Sequence, residues 1–210
     1  MVITFPYAFG GKDTEDHRTI GRLFVKVTRK YVKAEIVQMS DDLTAEIPGV
    51  DSCFRVTPPP FVGDPRAHKA APGISYGIWY FDAMASFPHK EFLRLDYDAM
   101  IREDVSDVFN GSFDIAIREL KGRVNNGVVF VKNRDFFRSA KEAYLKTGMD
   151  NWQDCQTAMQ TVIDSGEFRV KKLGETYNMI SKPERTTDWA SAKILHFKGQ
   201  RKELLINHFK

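Results

Sequence analysis

The sequence predicts an α/β protein: one domain spanning residues 1–210, with a mostly parallel twisted sheet and helices on both faces. Three observations lead there. Apolar runs of strand length alternate with stretches whose apolar residues recur every three to four positions, the pattern of parallel strands joined by crossover helices. Two of the runs open onto aspartates and another ends in histidine, at the edge where open α/β sheets bind their ligands. A chain of 210 residues, 42% hydrophobic and 28% charged, also has enough apolar mass to bury a core without disulfides or zinc.

Val2 to Phe5 reads as a short buried strand. Ile20, Leu23, Phe24, Val27 and Tyr31 fall on one helical face, with Arg18, Arg22, Lys26 and Lys30 elsewhere on the same helix. Ala34 to Met39 reads as a strand ending at Asp41-Asp42, which completes a β-α-β unit, and Ser52 to Val56 as a third strand. Thr57 to Gly73 holds five prolines, so it cannot run through a helix or central strand and is expected as a long surface loop. Ile78, Phe81, Met84 and Ala85 mark a helix over Ile74 to Ser86 that Pro88 stops. Phe92 to Leu95 is a strand opening onto Asp96-Tyr97-Asp98, and Phe113 to Ile117 and Gly127 to Val131 are two more. Phe136, Phe137, Ala140, Ala143 and Tyr144 share a helix face, and a further helix is expected over Asn151 to Ile163. Phe168 to Leu173 and Ile194 to Phe197 complete the strands.

Cys53 and Cys155 stand far apart with no partner at metal-ligand spacing, so they read as reduced thiols and point to a cytoplasmic setting. The N-terminus lacks the pattern of a secretion signal, and no apolar run approaches the roughly eighteen residues of a membrane span. The net charge is +3, yet Lys193 to Lys210 alone holds five Lys/Arg against one Glu, a local +4. That segment is either a solvated basic tail or a site for an anionic ligand.

Two motifs carry chemistry. Leu93-Arg94-Leu95-Asp96-Tyr97-Asp98 ends an apolar strand with two carboxylates at i and i+2, which can both lean toward a hard divalent cation. Left together without a cation, such a pair would repel. Ile194-Leu195-His196-Phe197-Lys198-Gly199 delivers an imidazole at a strand end, a glycine that lets backbone approach a ligand, and basic side chains continuing through Arg201 and Lys202. An imidazole among cations suits a metal-bound diphosphate.

These motifs, with Val105-Ser106-Asp107-Val108-Phe109, Asn125-Asn126-Gly127-Val128-Val129-Phe130, a tryptophan-containing helix with Asp154, and Tyr177-Asn178, follow a familiar order. In order and spacing the chain resembles the GT-A glycosyltransferases of the glycogenin-like and lipopolysaccharide galactosyltransferase-like group, over nearly its whole length. The resemblance implies a Rossmann-like GT-A domain that transfers a hexose from a UDP-sugar, UDP-glucose or UDP-galactose, to an acceptor hydroxyl with retention. It implies Mn²⁺ or Mg²⁺ held by Asp96, Asp98 and His196, with Asp96 also near the ribose and donor sugar. Lys198 and the backbone of Gly199 would contact the diphosphate, assisted by Arg201 or Lys202. Tyr7 would border the base, Asp41 would accept from uracil N3, and Arg66 would bridge the donor. Tyr97, inside the carboxylate motif, and Gly127, in the Asn-x-Gly turn, fall in the donor site by the same likeness. Asn125 would lie near the transferred sugar and Asp154 would contact its hydroxyls, or act as nucleophile if the route were a double displacement. Many relatives read Asp-Gln where this chain reads Asp154-Cys155-Gln156, so the helical register there departs from the pattern.

Two other classes remain on the sequence alone. One is metal-dependent phosphoryl transfer or hydrolysis, since aspartate-nucleophile phosphatases also use strand-Asp-x-Asp, although usually near the first strand. The other is a basic module binding nucleic acid through Lys193 to Lys210 and the Arg18 to Lys30 helix. The acceptor is not legible, because acceptor loops vary freely on one fold.

Overall fold

The computed structural model describes residues 1–59, 76–146, 153–182 and 189–209. Arg66 and most of the proline-rich segment lie outside the described residues. The centre is a seven-stranded sheet in the order β3-β2-β1-β4-β7-β6-β8, formed by β1 (Val2–Pro6), β2 (Glu35–Ser40), β3 (Ser52–Arg55), β4 (Phe92–Leu95), β6 (Ile115–Leu120), β7 (Arg123–Val131) and β8 (Val170–Lys172). β1 runs parallel to β2 and to β4, β2 parallel to β3, and β6 parallel to β8. β7 runs antiparallel to both of its neighbours, so it alone breaks the parallel direction. From β1 the chain first builds outward through β2 and β3 and then crosses to β4 on the other side. The crevice between β1 and β4 is therefore the switch point at which such sheets bind ligands.

Alternation along the central strands separates two cores. Leu93 and Leu95 of β4, with Val128 and Phe130 of β7, face one side, while Phe92, Val129 and Val131 face the other. The second side is covered by α2 (Tyr76–Ser86), α3 (Asp135–Lys146) and α4 (Gln153–Asp164). The first is covered by α1 (Glu15–Tyr31) and by a small second sheet. The start of α1 is capped by Thr14, whose hydroxyl accepts from His17 N at 3.3 Å while its own N–H donates to His17 Nδ1 at 3.2 Å. Glu15 and Asp16 in its first turn and Arg29 and Lys30 in its last complement the helix dipole.

Three features differ from the sequence expectation. β10 (Ile194–His196) is the expected strand, but it pairs in a small second sheet with β5 (Ala99–Ile101) and β9 (Met179–Ile180), whose three and two residues are too short to show a period. The Asn125-Asn126-Gly127 segment is not a turn between strands. It is a bulge inside β7, because the pairing with β6 jumps from Ile117↔Val129 to Arg118↔Asn125. The basic C-terminal segment is not a tail: residues 202–209 form α5 (Lys202–Phe209), anchored by the fully buried Leu205 and by contacts of Phe209 with Phe197. Among the described residues no helix is long and apolar enough to cross a membrane. Cys53 is half-buried and Cys155 buried, both as free thiols.

α2 and α3 cross closely at Gly77, where a Cβ would overlap the Tyr144 ring, with Cε1 at 2.9 Å. Tyr144 is itself buried and cannot step aside. Gly77→Ala is therefore expected to lower stability by about 1–3 kcal/mol through overpacking, despite the better helix propensity of alanine, as a fall in the urea midpoint at unchanged slope.

Candidate active site

The site grows from the end of β4. Asp96 N donates to Gly127 O at 2.8 Å, and Ala99 N donates back to Asp96 O at 2.9 Å, which turns the chain from β4 into β5. β5 pairs antiparallel with β10, placing Ala99 opposite His196, and Phe197 N donates to Asp98 O at 2.9 Å. Two strand ends thereby meet. His196 Nε2 lies 3.5 Å from Asp96 Oδ2 and 3.3 Å from Asp98 Oδ1, and one ligand atom from each residue lies within 4.8 Å of the others. Oxygen or nitrogen donors at roughly 2.0–2.2 Å from an octahedral cation stand about 3 Å apart when adjacent and about 4 Å when opposite. The three residues fit a hard divalent cation in spacing and in chemistry.

The backbone is shaped for that convergence. A Cβ at Gly127 would meet the His196 ring, 2.6 Å from Nδ1, and stand 3.0 Å from Asp96 Oδ2. Only hydrogen at this position lets the β7 bulge pass beneath the imidazole. His196 is 2% exposed and Asp98 6%. Burial would raise the Asp98 carboxyl, but the hydrogen bond and charge of His196, with Lys202 behind them, outweigh it and hold Asp98 below the usual carboxylate range. Asp98 is thus kept ionised where an unpaired carboxylate would take up a proton. Arg94, 2% exposed and stacked on the Tyr80 ring, grips Asp96 Oδ1 at 2.5 Å and donates to Asn126 O. One oxygen of Asp96 is held by that guanidinium while the other faces His196.

A cleft of about 480 Å³ opens over these groups, within the roughly 300–1,000 Å³ that small-molecule sites occupy. Besides the three candidate ligands it is lined by Arg94, Asn125, Asn126, Lys198 and Gly199, by Lys202 at the start of α5, and by Tyr76, Tyr80, Cys155 and Gln156. Lys202 Nζ lies 3.5 Å from Asp98 Oδ2 and donates to Tyr97 Oη at 2.7 Å, over the Tyr97 ring. Burial opposes its charge, and Asp98, Tyr97 and Asp96 more than compensate, raising its pKa. Lys202 thus pairs with Asp98 as Arg94 pairs with Asp96, whereas sequence reasoning put Lys198 first and did not foresee the helix that aims Lys202 inward. Gly199 takes a left-handed conformation, φ 67°, which starts the turn into α5. Arg201 is half-buried and is not among the residues lining the cleft.

The remaining expected residues fall in different places. Tyr7 is fully buried and packs edge-on against Tyr97, with ring centroids 5.5 Å apart, in an aromatic group completed by Phe9 and His17. Asp41 is fastened elsewhere. Its carboxylate accepts from Gly10 N, Leu43 N, Thr44 N and Thr44 Oγ1 at 2.5–2.9 Å, tying the loop after β1 to the loop after β2. On α4, Cys155 and Gln156 face the cleft, and Gln156 Nε2 donates to Asn126 Oδ1 at 3.0 Å. Asp154 precedes them, half-buried and outside the cleft lining. Burial, with Asp154 adding to it, pushes the Cys155 thiol up to about 12, so it is a neutral wall and not a nucleophile. Arg94, Gln156 and Asn126 were missed as site residues because nothing in strand or helix periodicity marks them.

No family model and no curated relative matches the chain. Solved structures do. The glycosyltransferase GlyE of Streptococcus pneumoniae TIGR4 superposes with a TM-score of 0.60 at 13% identity, over 95% of this chain, which spans 55% of the length of GlyE. The galactosyltransferase LgtC, crystallised with donor and acceptor sugar analogues, gives 0.59 at 10% identity over 100% of this chain and 96% of its own. A glycosyltransferase involved in glycosylation of the major capsid of PBCV-1 gives 0.60 at 14% identity over 100% and 98%. The fold is that of the GT-A glycosyltransferases. In this chain with the GT-A fold the carboxylate pair, the histidine and the cleft sit beyond the carboxyl end of β4, against the bulge of its neighbour β7.

Two outcomes test the geometry. Gly127→Ala should displace the buried His196 ring, lowering the melting temperature through overpacking and weakening Mn²⁺ binding by at least about tenfold in a calorimetric titration run well below the melt. Burial works to raise the Asp41 carboxyl, but its hydrogen bonds from Thr44, Gly10 and Leu43 prevail and lower it. Its contribution to stability is therefore complete above the ordinary 3.8 and is lost as pH falls through the lower folded value. Asp41→Asn should destabilise near neutral pH and flatten the acid limb of the urea midpoint plotted against pH.

Proposed function

We propose that the protein is a single-domain, divalent-cation-dependent glycosyltransferase. It moves a hexose from a UDP-sugar, UDP-glucose or UDP-galactose, to an acceptor hydroxyl with retention of configuration. The observation that supports this most directly is the convergence of Asp96, Asp98 and His196 beside Lys202, beyond the carboxyl end of β4 in a GT-A fold. Bound there, Mn²⁺ or Mg²⁺ would supply Lewis acidity to the leaving diphosphate.

The chain's own residues have distinct tasks. Lys202, with Lys198 and the backbone at Gly199, faces the side of the cleft where the diphosphate would lie, and its ammonium would offset charge that grows on the leaving phosphate. Arg94 holds Asp96 so that a single carboxylate oxygen is presented to the ligand side. Asn125, Asn126 and Gln156 also line the cleft, where amides can hydrogen-bond sugar hydroxyls. In the reaction the bond from the anomeric carbon to the phosphate oxygen breaks, its electron pair staying on that oxygen. The acceptor oxygen bonds the anomeric carbon on the same face, and its proton passes to the departing phosphate. Asp154, half-buried and outside the cleft lining, is a poor nucleophile for the double-displacement alternative. The uridine would lie against Tyr97, which is part-exposed beside Lys202, with Tyr7 buried behind it. Two free thiols are consistent with a reducing, cytoplasmic setting. The inward orientation of Lys202 argues against an open basic surface for nucleic acid.

Release of nucleoside diphosphate from a panel of nucleotide sugars, with and without Mn²⁺ and EDTA, tests the proposal. Turnover should require the cation, and Asp98→Ala should remove it. Lys202→Ala should lower kcat by about 10²–10³-fold with a smaller effect on KM. Undiminished turnover in Asp98→Ala would falsify the assignment of the metal site.

A further inference from the structure

Asn178 does not line the cleft, yet it is fully buried and touches both halves of the candidate metal site. It ends a short 3-10 turn, Glu175–Asn178, immediately before β9. Its Oδ1 lies 3.0 Å from His196 Nδ1, and its Nδ2 donates to Asn125 O at 3.5 Å. A peptide carbonyl can only accept, so Asn125 O dictates which end of the amide faces it. The amide nitrogen points to the β7 bulge, and the amide oxygen is left against the imidazole. That oxygen also only accepts, so Nδ1 must carry a ring proton. Nε2 faces the space shared with Asp96 and Asp98, where without a cation its N–H donates to the carboxylates and where, once a cation replaces that proton, its lone pair is free to ligate.

We propose that Asn178 is a positioning residue that fixes the tautomer and orientation of His196 and so makes Nε2 a metal donor; this rests on the metal-site reading above. The turn that holds Asn178 is itself anchored. Arg118, 8% exposed, donates to Asn178 O and pairs with Glu175 at 3.4 Å. The same amide reaches the other half of the site through the bulge, since Asn125 Oδ1 accepts from Gly127 N at 3.2 Å and Gly127 O accepts from Asp96 N at 2.8 Å. A single side chain thus fastens the histidine to the segment that sets the Asp96 backbone.

The test measures Mn²⁺ affinity of the full chain by electron paramagnetic resonance of the free ion, without donor sugar, in wild type, Asn178→Ala and Asn178→Asp. Aspartate keeps an acceptor for Nδ1–H but loses the donor to Asn125 O. Asn178→Ala should weaken Mn²⁺ binding about 10- to 100-fold, and Asn178→Asp should stay within a few-fold of wild type. Nitrogen-15 spectra of the histidine rings, recorded with Mg²⁺ bound, should place the His196 proton on Nδ1 in wild type and Asn178→Asp. Equal losses in both variants, no loss in Asn178→Ala, or a Mg²⁺-loaded ring whose proton sits on Nε2 each overturn the proposal. Where thermal melting shows that the alanine variant does not fold, the aspartate variant and the ring spectra decide. A wild type that binds no Mn²⁺ overturns the metal reading itself, whereas wild-type binding with an unaffected Asn178→Ala overturns only the role of Asn178.

Discussion

Two carboxylates and an imidazole crowd into one point of this protein, and nearly every local feature around them answers the repulsion that this creates. Asp96 and Asp98 are both acceptors, and His196 turns Nε2 toward the pair. Without positive charge nearby, one carboxylate would take up a proton or the loops would part. Arg94 on the β4 side and Lys202 on the α5 side supply that charge from opposite directions. The Asp98 carboxyl stays below its ordinary range in spite of burial, through the hydrogen bond and charge of His196 first and Lys202 second. A divalent cation would relieve the same repulsion more completely, because it meets all three donors at once.

Holding such a cluster together requires stiff supports. β4 ends a strand whose side chains enter both cores, Phe92 on one side and Leu93 and Leu95 on the other. β10 brings His196 from a second sheet packed on the α1 face, with Ile194 and Leu195 fully buried. The two sheets touch through the Asp96-to-Asp98 turn, so the separation of the ligands depends on apolar packing on the α1 face of the main sheet. Substitutions there would act on the site through geometry, although no altered residue touches a ligand.

Much of this was legible in the sequence, and the rest was hidden for identifiable reasons. Asp96, Asp98 and His196 could be read because each ends an apolar strand, a placement that alternation and composition reveal. The main helices were legible from their periodicity, as with Ile20, Leu23, Phe24 and Val27 of α1. β5 and β9, of three and two residues, left no period, so the small sheet around the expected β10 escaped notice. The bulge at Asn125–Gly127 looked like a turn because asparagine and glycine favour both, and only pairing with β6 tells them apart. Asp41 looked like a ligand group at a strand end, but its oxygens are taken by donors from two loops, a fact of tertiary structure. Lys202 read as one more charge in a basic run until α5 gave it a direction.

That direction changes the meaning of the basic C-terminal segment. Among the residues lining the cleft, Arg94, Lys198 and Lys202 set three positive charges against the two carboxylates of Asp96 and Asp98, leaving an excess of +1 before His196 is counted. A divalent cation on the three ligands would raise the excess to +3. A nucleotide-sugar diphosphate gains a further negative charge as the sugar–oxygen bond breaks, so a site with surplus positive charge matches the departing diphosphate better than the intact donor. Interactions that strengthen along the reaction coordinate lower the barrier, whereas those equal in both states only tighten binding. Arg94 is locked onto Asp96 and contributes a constant background, but Lys202 is held to Asp98 by a 3.5 Å contact that a cation would weaken. Under the proposed reaction Lys202, still held by Tyr97 Oη at 2.7 Å, would turn its charge from Asp98 toward the phosphate as the cation takes over Asp98, which would couple metal binding to leaving-group stabilisation.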